Sequence, residues 1–261
     1  MRAITLGYHD IIDPNGPAFP DPRGASSTYS LSRAEFRRQM QAIARTSAAN
    51  SVVTIQQARQ WGTQVPVFMS FDDGQAGAYN CAAEELEACG WRGHFFVTTN
   101  WIDRPGFMSR TQIRELHERG HVIASHTLSH PSRMSELPWD SLLREWGESV
   151  ETLSEILGTK VEVASVADGY YSRRVGQSAA AAGIRVLFNS EPTSATSFVD
   201  DCLILGRYAV QAQTAEAEVV AIAKGENWHR WKQSALWGIK GVAKRVGGQQ
   251  YLNLRRRLLS K

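Results

Sequence analysis

Short apolar runs alternate along the chain with longer segments in which apolar residues recur every three or four positions. The short runs predict β-strands and the longer segments predict amphipathic helices. Such alternation is typical of βα units that build a mostly parallel sheet or barrel. The predicted strands, about seven in number, are ITLGYHD, VPVFMSF, HFFVTT, HVIASH, VEVASVA, RVLFNS and LILGRYAV.

The helical segments carry start and stop signals. SLSRAEFRRQMQAIART predicts a helix with Ser32 as its N-cap, and SRTQIRELHERG predicts one capped by Ser109. A helix is expected over about 76–89, closed by Gly90. Residues 11–30 are rich in Pro, Gly and Ser, and they predict a long surface loop.

Three predicted strands end in residues that can bind a metal ion or move a proton. Asp72 and Asp73 follow VPVFMSF, and His126 and His130 follow HVIASH. His9 ends the first strand. Because the carboxyl ends of parallel strands open on one side of such a fold, we expect these side chains to lie close together.

An aspartate and two histidines provide three metal ligands and leave coordination positions open, as in catalytic metal sites. We predict Asp73, His126 and His130 as ligands, because a divalent cation offsets the repulsion between the two aspartates. Asp72 then remains near the bound water to take a proton. Pro131 disfavours helix at His130, so we expect a turn or 3₁₀ piece there.

The motifs SFDDG and SHTLSHP resemble the first two motifs of the NodB-homology polysaccharide deacetylases, carbohydrate esterase family 4. The similarity extends through FFVTTNWIDRPGFMS, LHERGHVIASH and GIRVLFNSEP and covers most of residues 1–213. It implies a deformed (β/α)₇ barrel and a metal, most often zinc, held by Asp73, His126 and His130. It also implies removal of N-acetyl or O-acetyl groups from a polysaccharide or lipid-linked glycan, with metal-bound water as nucleophile and Asp72 as general base.

Two motifs of that family depart from the usual pattern. The third usually reads RxP[YF], but here ASVADGYYS puts Ser165 or Val166 where the arginine falls. The fifth usually supplies a histidine as LxH, but here LGR puts Arg207 in that position. We therefore predict His9 as the catalytic acid in place of the missing histidine, against the alternative that it is structural.

Arg207 is also a candidate for substrate binding, and pairing with Asp72 or with another surface or interdomain partner stays open as an alternative. Trp101, Tyr170 and Tyr171 are candidates for stacking on a sugar ring, although core packing is the more common role for any one such residue. The backbone N–H of Tyr170 or a neighbour is a candidate donor to the oxyanion.

Charge divides the chain into two parts. From Lys224 onward there are ten Lys or Arg and one acidic residue, so the tail is near +9 and the remainder near −6. We predict a deacetylase domain over 1–222 and a basic amphipathic helical tail over 223–261, which either contacts a membrane surface or docks on the barrel. Nucleic-acid binding is not expected, because the body is acidic.

Three cysteines without a CxxC motif and the absence of a signal-peptide pattern favour the cytoplasm, with the tail at the inner membrane surface as a further expectation. Three other functions stay open. The missing arginine and histidine fit a catalytically weak glycan-binding relative, and the same fold could remove a formyl group or cleave another C–N amide. Non-haem iron oxygenases also use such ligands, but usually in an all-β barrel.

Overall fold

A computed structural model of the protein describes residues 1–14, 16, 26–60 and 64–226. Its strands in chain order are β1 Ile4–Tyr8, β2 Ile11–Ile12, β3 Leu31–Ser32, β4 Val67–Phe71, β5 His94–Val97, β6 Val122–Ser125, β7 Val163–Ser165, β8 Val186–Phe188, β9 Ser197–Val199, β10 Cys202–Leu205 and β11 Tyr208–Ala209. Its α-helices are α1 Ser26–Tyr29, α2 Arg33–Ala44, α3 Ala83–Ala88, α4 Arg110–Glu118, α5 Trp139–Leu157, α6 Arg173–Ala181 and α7 Glu216–Ala223.

Nine of these strands form one curled sheet in the order β11-β1-β4-β5-β6-β7-β8-β10-β9. Neighbouring strands are parallel except for β9, which runs antiparallel to β10. This architecture confirms the predicted deformed (β/α)₇ barrel. It contains more strands than the pattern indicated, because β9 has a weak apolar signal and because one predicted strand is split in two.

The split lies in LILGRYAV, which was wrongly predicted as a single strand. β10 pairs with β8, whereas β11 pairs with β1 at the other end of the sheet order. The break falls at Gly206 and Arg207, where a Cβ on Gly206 would lie 2.4 Å from the carbonyl oxygen of Glu191. The chain therefore passes from one side of the curled sheet to the other here, and Arg207 sits at the closure.

The helices begin and end largely where the caps indicated. Ser32 and Ser109 each form a capping box, with Glu35 and Gln112 as the reciprocal partners, which satisfies backbone N–H groups at the starts of α2 and α4. The helix expected over 76–89 is not uniform, because a π-helical turn at Ala78–Ala82 precedes α3. Such turns are rare and occur most often near functional sites.

The prediction of a surface loop over residues 11–30 is wrong for its described beginning and end. Ile11–Ile12 form β2, which pairs with β3, and Ile11 is fully buried. Residues 26–29 form α1. Residues 15 and 17–25 lie outside the described part of the chain.

The barrel is packed on both sides of its sheet. Every residue of β1 and β4 is buried, as expected for parallel strands covered by helices on one face. On the inner face Phe68, Phe96 and Phe188 pack edge to face, with ring centroids 5.2–6.0 Å apart. These rings form an apolar layer inside the barrel.

The tail predicted over 223–261 lies outside the described residues apart from its first four positions. α7 packs against α2 and β1, and its last residue, Ala223, is buried. No helix in the described part of the chain has the length and apolar character needed to cross a membrane.

Candidate active site

A sharp turn after β4 brings the two aspartates to the same side of the sheet. Asp72 still donates its backbone N–H to the carbonyl of Tyr8 at 3.0 Å, so it continues the strand pairing. Asp73 and Gly74 then adopt left-handed backbone conformations, with φ of 75° and 83°. Consecutive residues of a regular strand point to opposite faces, and the left-handed turn removes that alternation.

The two histidines are presented by the turn that follows β6. The backbone N–H of His126 bonds to Val97 of the neighbouring strand at 2.8 Å. Thr127 and His130 have φ of 70° and 59°, and the Thr127 hydroxyl accepts the His130 backbone N–H at 3.0 Å. The expectation of a turn rather than a long helix is therefore confirmed.

Asp73, His126 and His130 each direct one possible ligand atom into a common space, and these atoms all lie within 4.8 Å of one another. Asp73 Oδ1 is 3.5 Å from His126 Nε2 and 3.3 Å from His130 Nε2. Ligands of a tetrahedral zinc ion with bonds of about 2.0–2.1 Å lie about 3.4 Å apart. The two distances from Asp73 to the histidine nitrogens match that spacing.

The protonation of His126 also suits a metal ligand. Its Nδ1 bonds to the Ser165 hydroxyl at 2.6 Å, which leaves Nε2 directed at Asp73. Burial lowers the pKa of His126 to about 4, despite the nearby carboxylates, so the imidazole is neutral at pH 7. A neutral imidazole with one nitrogen hydrogen-bonded and the other exposed to the site is the usual arrangement for binding a divalent cation such as zinc.

Trp101, predicted to bind substrate, lies against His130, one of the three predicted metal ligands. Their rings stack with centroids 5.1 Å apart and an interplanar angle of 25°. The Phe107 ring also packs against the indole, with ring centroids 5.0 Å apart. Trp101 thus limits the rotation of the His130 ring. It borders the group of predicted ligands Asp73, His126 and His130, called the metal-ligand cluster below.

Glu145 is a contributor that the sequence reasoning missed. It lies on α5, is buried, and its carboxylate accepts the backbone N–H of Ser129 at 2.9 Å and the Ser129 hydroxyl at 2.6 Å. Its carbonyl accepts the N–H of Leu128 at 3.0 Å. These bonds fix the turn that carries His130. The sequence signal for Glu145 was its position as an acidic residue on the face of α5 that also buries Leu142 and Trp146.

Asp72 lies beside the cluster in a charged and buried environment. Its Oδ1 accepts from Arg207 at 2.5 Å and from the Ser165 hydroxyl at 3.4 Å. Burial on its own raises the pKa of this carboxyl, but the charges of Arg207, His126 and His9 outweigh it and hold the pKa below its usual value. Asp72 is therefore ionised at neutral pH.

The structure places the remaining predicted residues at the same side of the barrel. His9 is half-buried after β1, contacts the ring of Tyr29 at 4.7 Å, and is close enough for its charge to act on Asp72. Tyr170 is half-buried in the loop after β7, and its role in substrate binding stays a prediction. Tyr171 packs into the apolar cluster around α6.

Comparison with known proteins identifies the family. The family model "Polysaccharide deacetylase" matches residues 60–187, which include both the Asp-Asp turn and the two histidines. No curated protein matches the chain at the sequence level. This match covers just under half of the chain, so residues 60–187 are similar to the polysaccharide deacetylases; with the shared fold, it supports the NodB-homology family and a deacetylase enzyme.

Several solved structures share the fold. The Streptococcus pyogenes deacetylase PplD in complex with acetate is 17% identical, with a TM-score of 0.68 over 85% of this chain and 98% of that one. IcaB from Ammonifex degensii is 22% identical, with a TM-score of 0.66 over 85% and 97%. The de-N-acetylase from Aggregatibacter actinomycetemcomitans is 21% identical, with a TM-score of 0.66 over 82% and 97%.

Proposed function

We propose that this protein hydrolyses N-acetyl groups on a glycan, with a divalent metal, most often zinc in such sites, held by Asp73, His126 and His130. The observation that carries the proposal is the convergence of these three ligand atoms within 4.8 Å, beside an ionised carboxylate at Asp72. Two proteins of similar fold support the acetyl group, since one is a de-N-acetylase and another was solved with acetate.

A divalent ion held by Asp73, His126 and His130 would supply Lewis-acid chemistry, because such ions polarise carbonyl oxygens and lower the pKa of water. Asp72 is the base that accepts a proton from the attacking water. Its ionised state suits that role, and Arg207 and Ser165 hold one of its two oxygens in place. The neutral imidazole of His126 is held by Ser165 in the tautomer that presents Nε2.

An amine is a poor leaving group until it is protonated, so the reaction needs an acid as well as a base. His9 fills that role in this proposal, because it directly follows β1, the strand next to β4, and its charge acts on Asp72. The backbone N–H of Tyr170 is the proposed donor to the oxyanion, since it follows β7 at the same side of the barrel.

Acetate release from oligomers of N-acetylglucosamine tests the proposal. We expect Asp72→Asn to lower kcat by about 10²–10⁴-fold while metal content is kept, since general-base catalysis contributes that range. Asp201→Asn is the matched control, because Asp201 is 90% exposed and pairs only loosely with Arg185 at 3.7 Å. Full activity of Asp72→Asn would remove Asp72 as the base.

The same assay separates the other candidate functions. Formate released in place of acetate from an N-formylated sugar would indicate a deformylase. Binding of the oligomer without any acyl release would indicate a glycan-binding protein.

The location of the protein belongs to this proposal too. We infer a cytoplasmic protein, and the basic charge from Lys224 onward supports contact of its tail with anionic lipid at the inner membrane surface. Co-sedimentation of the full chain with anionic vesicles, but not with neutral ones, is the expected result. Equal recovery with both, or with neither, would contradict the membrane contact.

A further inference from the structure

Arg207 is a buried guanidinium with its hydrogen bonds directed inward. It is 4% exposed, and it donates from one terminal nitrogen to Asp72 Oδ1 and from Nε to the carbonyl of Asn189 at 3.0 Å. The guanidinium carbon also lies 5.5 Å from the centre of the Phe96 ring. A group engaged in this way has little surface left with which to contact a glycan.

The backbone around Arg207 is built to hold the side chain in one place. Gly206 has no room for a Cβ, which would lie 2.6 Å from the carbonyl oxygen of Thr193. The Arg207 N–H bonds to Glu191 at 2.9 Å, and the Asn189 N–H bonds to Leu205 at 2.8 Å. The loop after β8 therefore wraps closely around the junction between β10 and β11.

We propose that Arg207 is the positioning residue of Asp72: it holds Oδ1 so that Oδ2 faces the metal-ligand cluster and is the atom that takes the proton. Asp72 Oδ2 lies 4.0 Å from His126 Nε2, whereas Oδ1 is engaged by Arg207 and Ser165. This inference rests on the proposed hydrolase function. It assigns Arg207 to the base and leaves substrate recognition to other residues.

The planar guanidinium is suited to this task in a way that lysine is not. It donates to Asp72 and to the Asn189 carbonyl at once, which fixes both the distance and the orientation of the carboxylate. A lysine carries the same charge as a single rotatable ammonium group. An arginine guanidinium does not release a proton at neutral pH. Arg207 therefore does not take over the role of the histidine that the fifth family motif usually supplies at this position.

Steady-state kinetics of Arg207→Lys and Arg207→Ala, in the full chain with metal, test the inference. We expect Arg207→Ala to lower kcat by about 10²-fold with KM nearly unchanged, since a misplaced catalytic group costs about that much. Arg207→Lys is expected to recover part of the loss. A rise in KM with kcat preserved would overturn the inference and identify Arg207 as a substrate clamp.

Chemical rescue gives a readout that a merely structural role does not produce. Guanidinium at low, non-denaturing concentration should restore part of the kcat of Arg207→Ala, whereas urea, its neutral analogue, should not. Arg185→Gln is the matched control for loss of an arginine, because Arg185 is 45% exposed and its ion pair is with Asp201 rather than with Asp72. Equal effects of guanidinium and urea would contradict the inference.

A double-mutant cycle on thermal stability keeps the test valid if Arg207→Ala folds poorly. Asp72→Asn and Arg207→Lys should each lower the melting temperature, and their combination should lower it by less than the sum, because each single change leaves a buried partner unsatisfied. Additive shifts would overturn the pairing.

The outcomes distinguish failure of this inference from failure of the proposed function. Wild-type protein that releases no acyl group would overturn the proposed function. Active wild-type protein whose Arg207 variants have unchanged kinetics would overturn this inference alone.

Discussion

Ser165 links the two chemical parts of the site at the scale of single residues. Its hydroxyl accepts the Nδ1–H of His126 and donates to Asp72 Oδ1, so one small side chain orients both a proposed metal ligand and the proposed base. The sequence pointed to Asp72, Asp73, His126 and His130 because strand ends converge in a parallel barrel. It left the pairing of Arg207 with Asp72 as one alternative among several and did not indicate the role of Ser165, because these contacts join strands that are far apart in the chain.

Ser165→Ala should weaken metal binding toward the lower end of the 10–100-fold range known for such supporting residues. The loss is limited because the Ser165 carbonyl lies 3.3 Å from His126 Nδ1 and remains available as an acceptor. Titration against a competing chelator measures the affinity. Ser178→Ala, which removes a buried hydroxyl that accepts from Trp146, is the control and should leave metal affinity unchanged. Unchanged affinity in Ser165→Ala would contradict the role of Ser165.

At the scale of elements, the helices and turns hold the site residues from outside. The caps of α2 and α4 were predictable because each capping box is local in sequence. The turn that carries His130 was only partly predictable. Pro131 indicated a turn rather than a helix, but the sequence did not indicate the left-handed conformations of Thr127 and His130. It also did not show that the anchor of the turn is the carboxylate of Glu145 on α5, which begins at Trp139.

Glu145→Ala should destabilise the fold by about 1–3 kcal/mol, because it leaves the Ser129 N–H buried without its acceptor. Metal affinity should fall as well, since the His130 turn loosens. Denaturant unfolding and chelator titration measure the two effects. Glu148→Ala on the same helix is exposed and serves as the control. A loss of stability with full metal affinity would show that Glu145 does not position His130.

His94, at the start of β5, makes the stability of the fold depend on pH in the acidic range. Its Nε2 accepts the Ile55 N–H at 3.0 Å, its Nδ1 bonds to the Met69 carbonyl at 3.0 Å, and burial lowers its pKa to about 4. The folded state therefore binds this proton less readily than the unfolded state, whose pKa is about 6.5. The contribution of His94 to stability is full above pH 6.5 and declines as the pH falls toward 4.

The slope from this one group cannot exceed about 1.4 kcal/mol per pH unit. His94→Gln should be less stable at pH 7 but should show a shallower decline between pH 6.5 and 4 in urea unfolding. His117→Gln, on the helix α4 and only half-buried, is the control and should keep the wild-type slope. An unchanged slope in His94→Gln would contradict the account.

At the scale of the whole molecule, closure of the sheet sets the active site. The apolar pattern predicted the barrel class, but it could not reveal that LILGRYAV divides between two sides of the sheet, since pairing partners are not encoded in local periodicity. That division places Arg207 opposite Asp72. The boundary predicted between residues 222 and 223 stays a prediction, and α7 extends to the buried Ala223.

Truncation after Glu226 should leave the melting temperature within a few degrees of the full chain, because α7 remains whole. Truncation after Thr214 removes α7 and with it Val219 and Ile222, each fully buried and each contributing about 1.5–3 kcal/mol. That shorter protein should be strongly destabilised. A large loss of stability on removing only residues 227–261 would contradict the expected independence of the barrel.

Metal content of the purified full-length protein tests the central claim most directly. The account predicts about one equivalent of zinc or a similar divalent ion per chain, and its loss in His126→Ala, since that change removes one of three ligands. His117→Ala, outside the cluster, should keep the metal. Wild-type protein that binds no divalent metal even when zinc is added, or His126→Ala that binds it as tightly as wild type, would contradict the site.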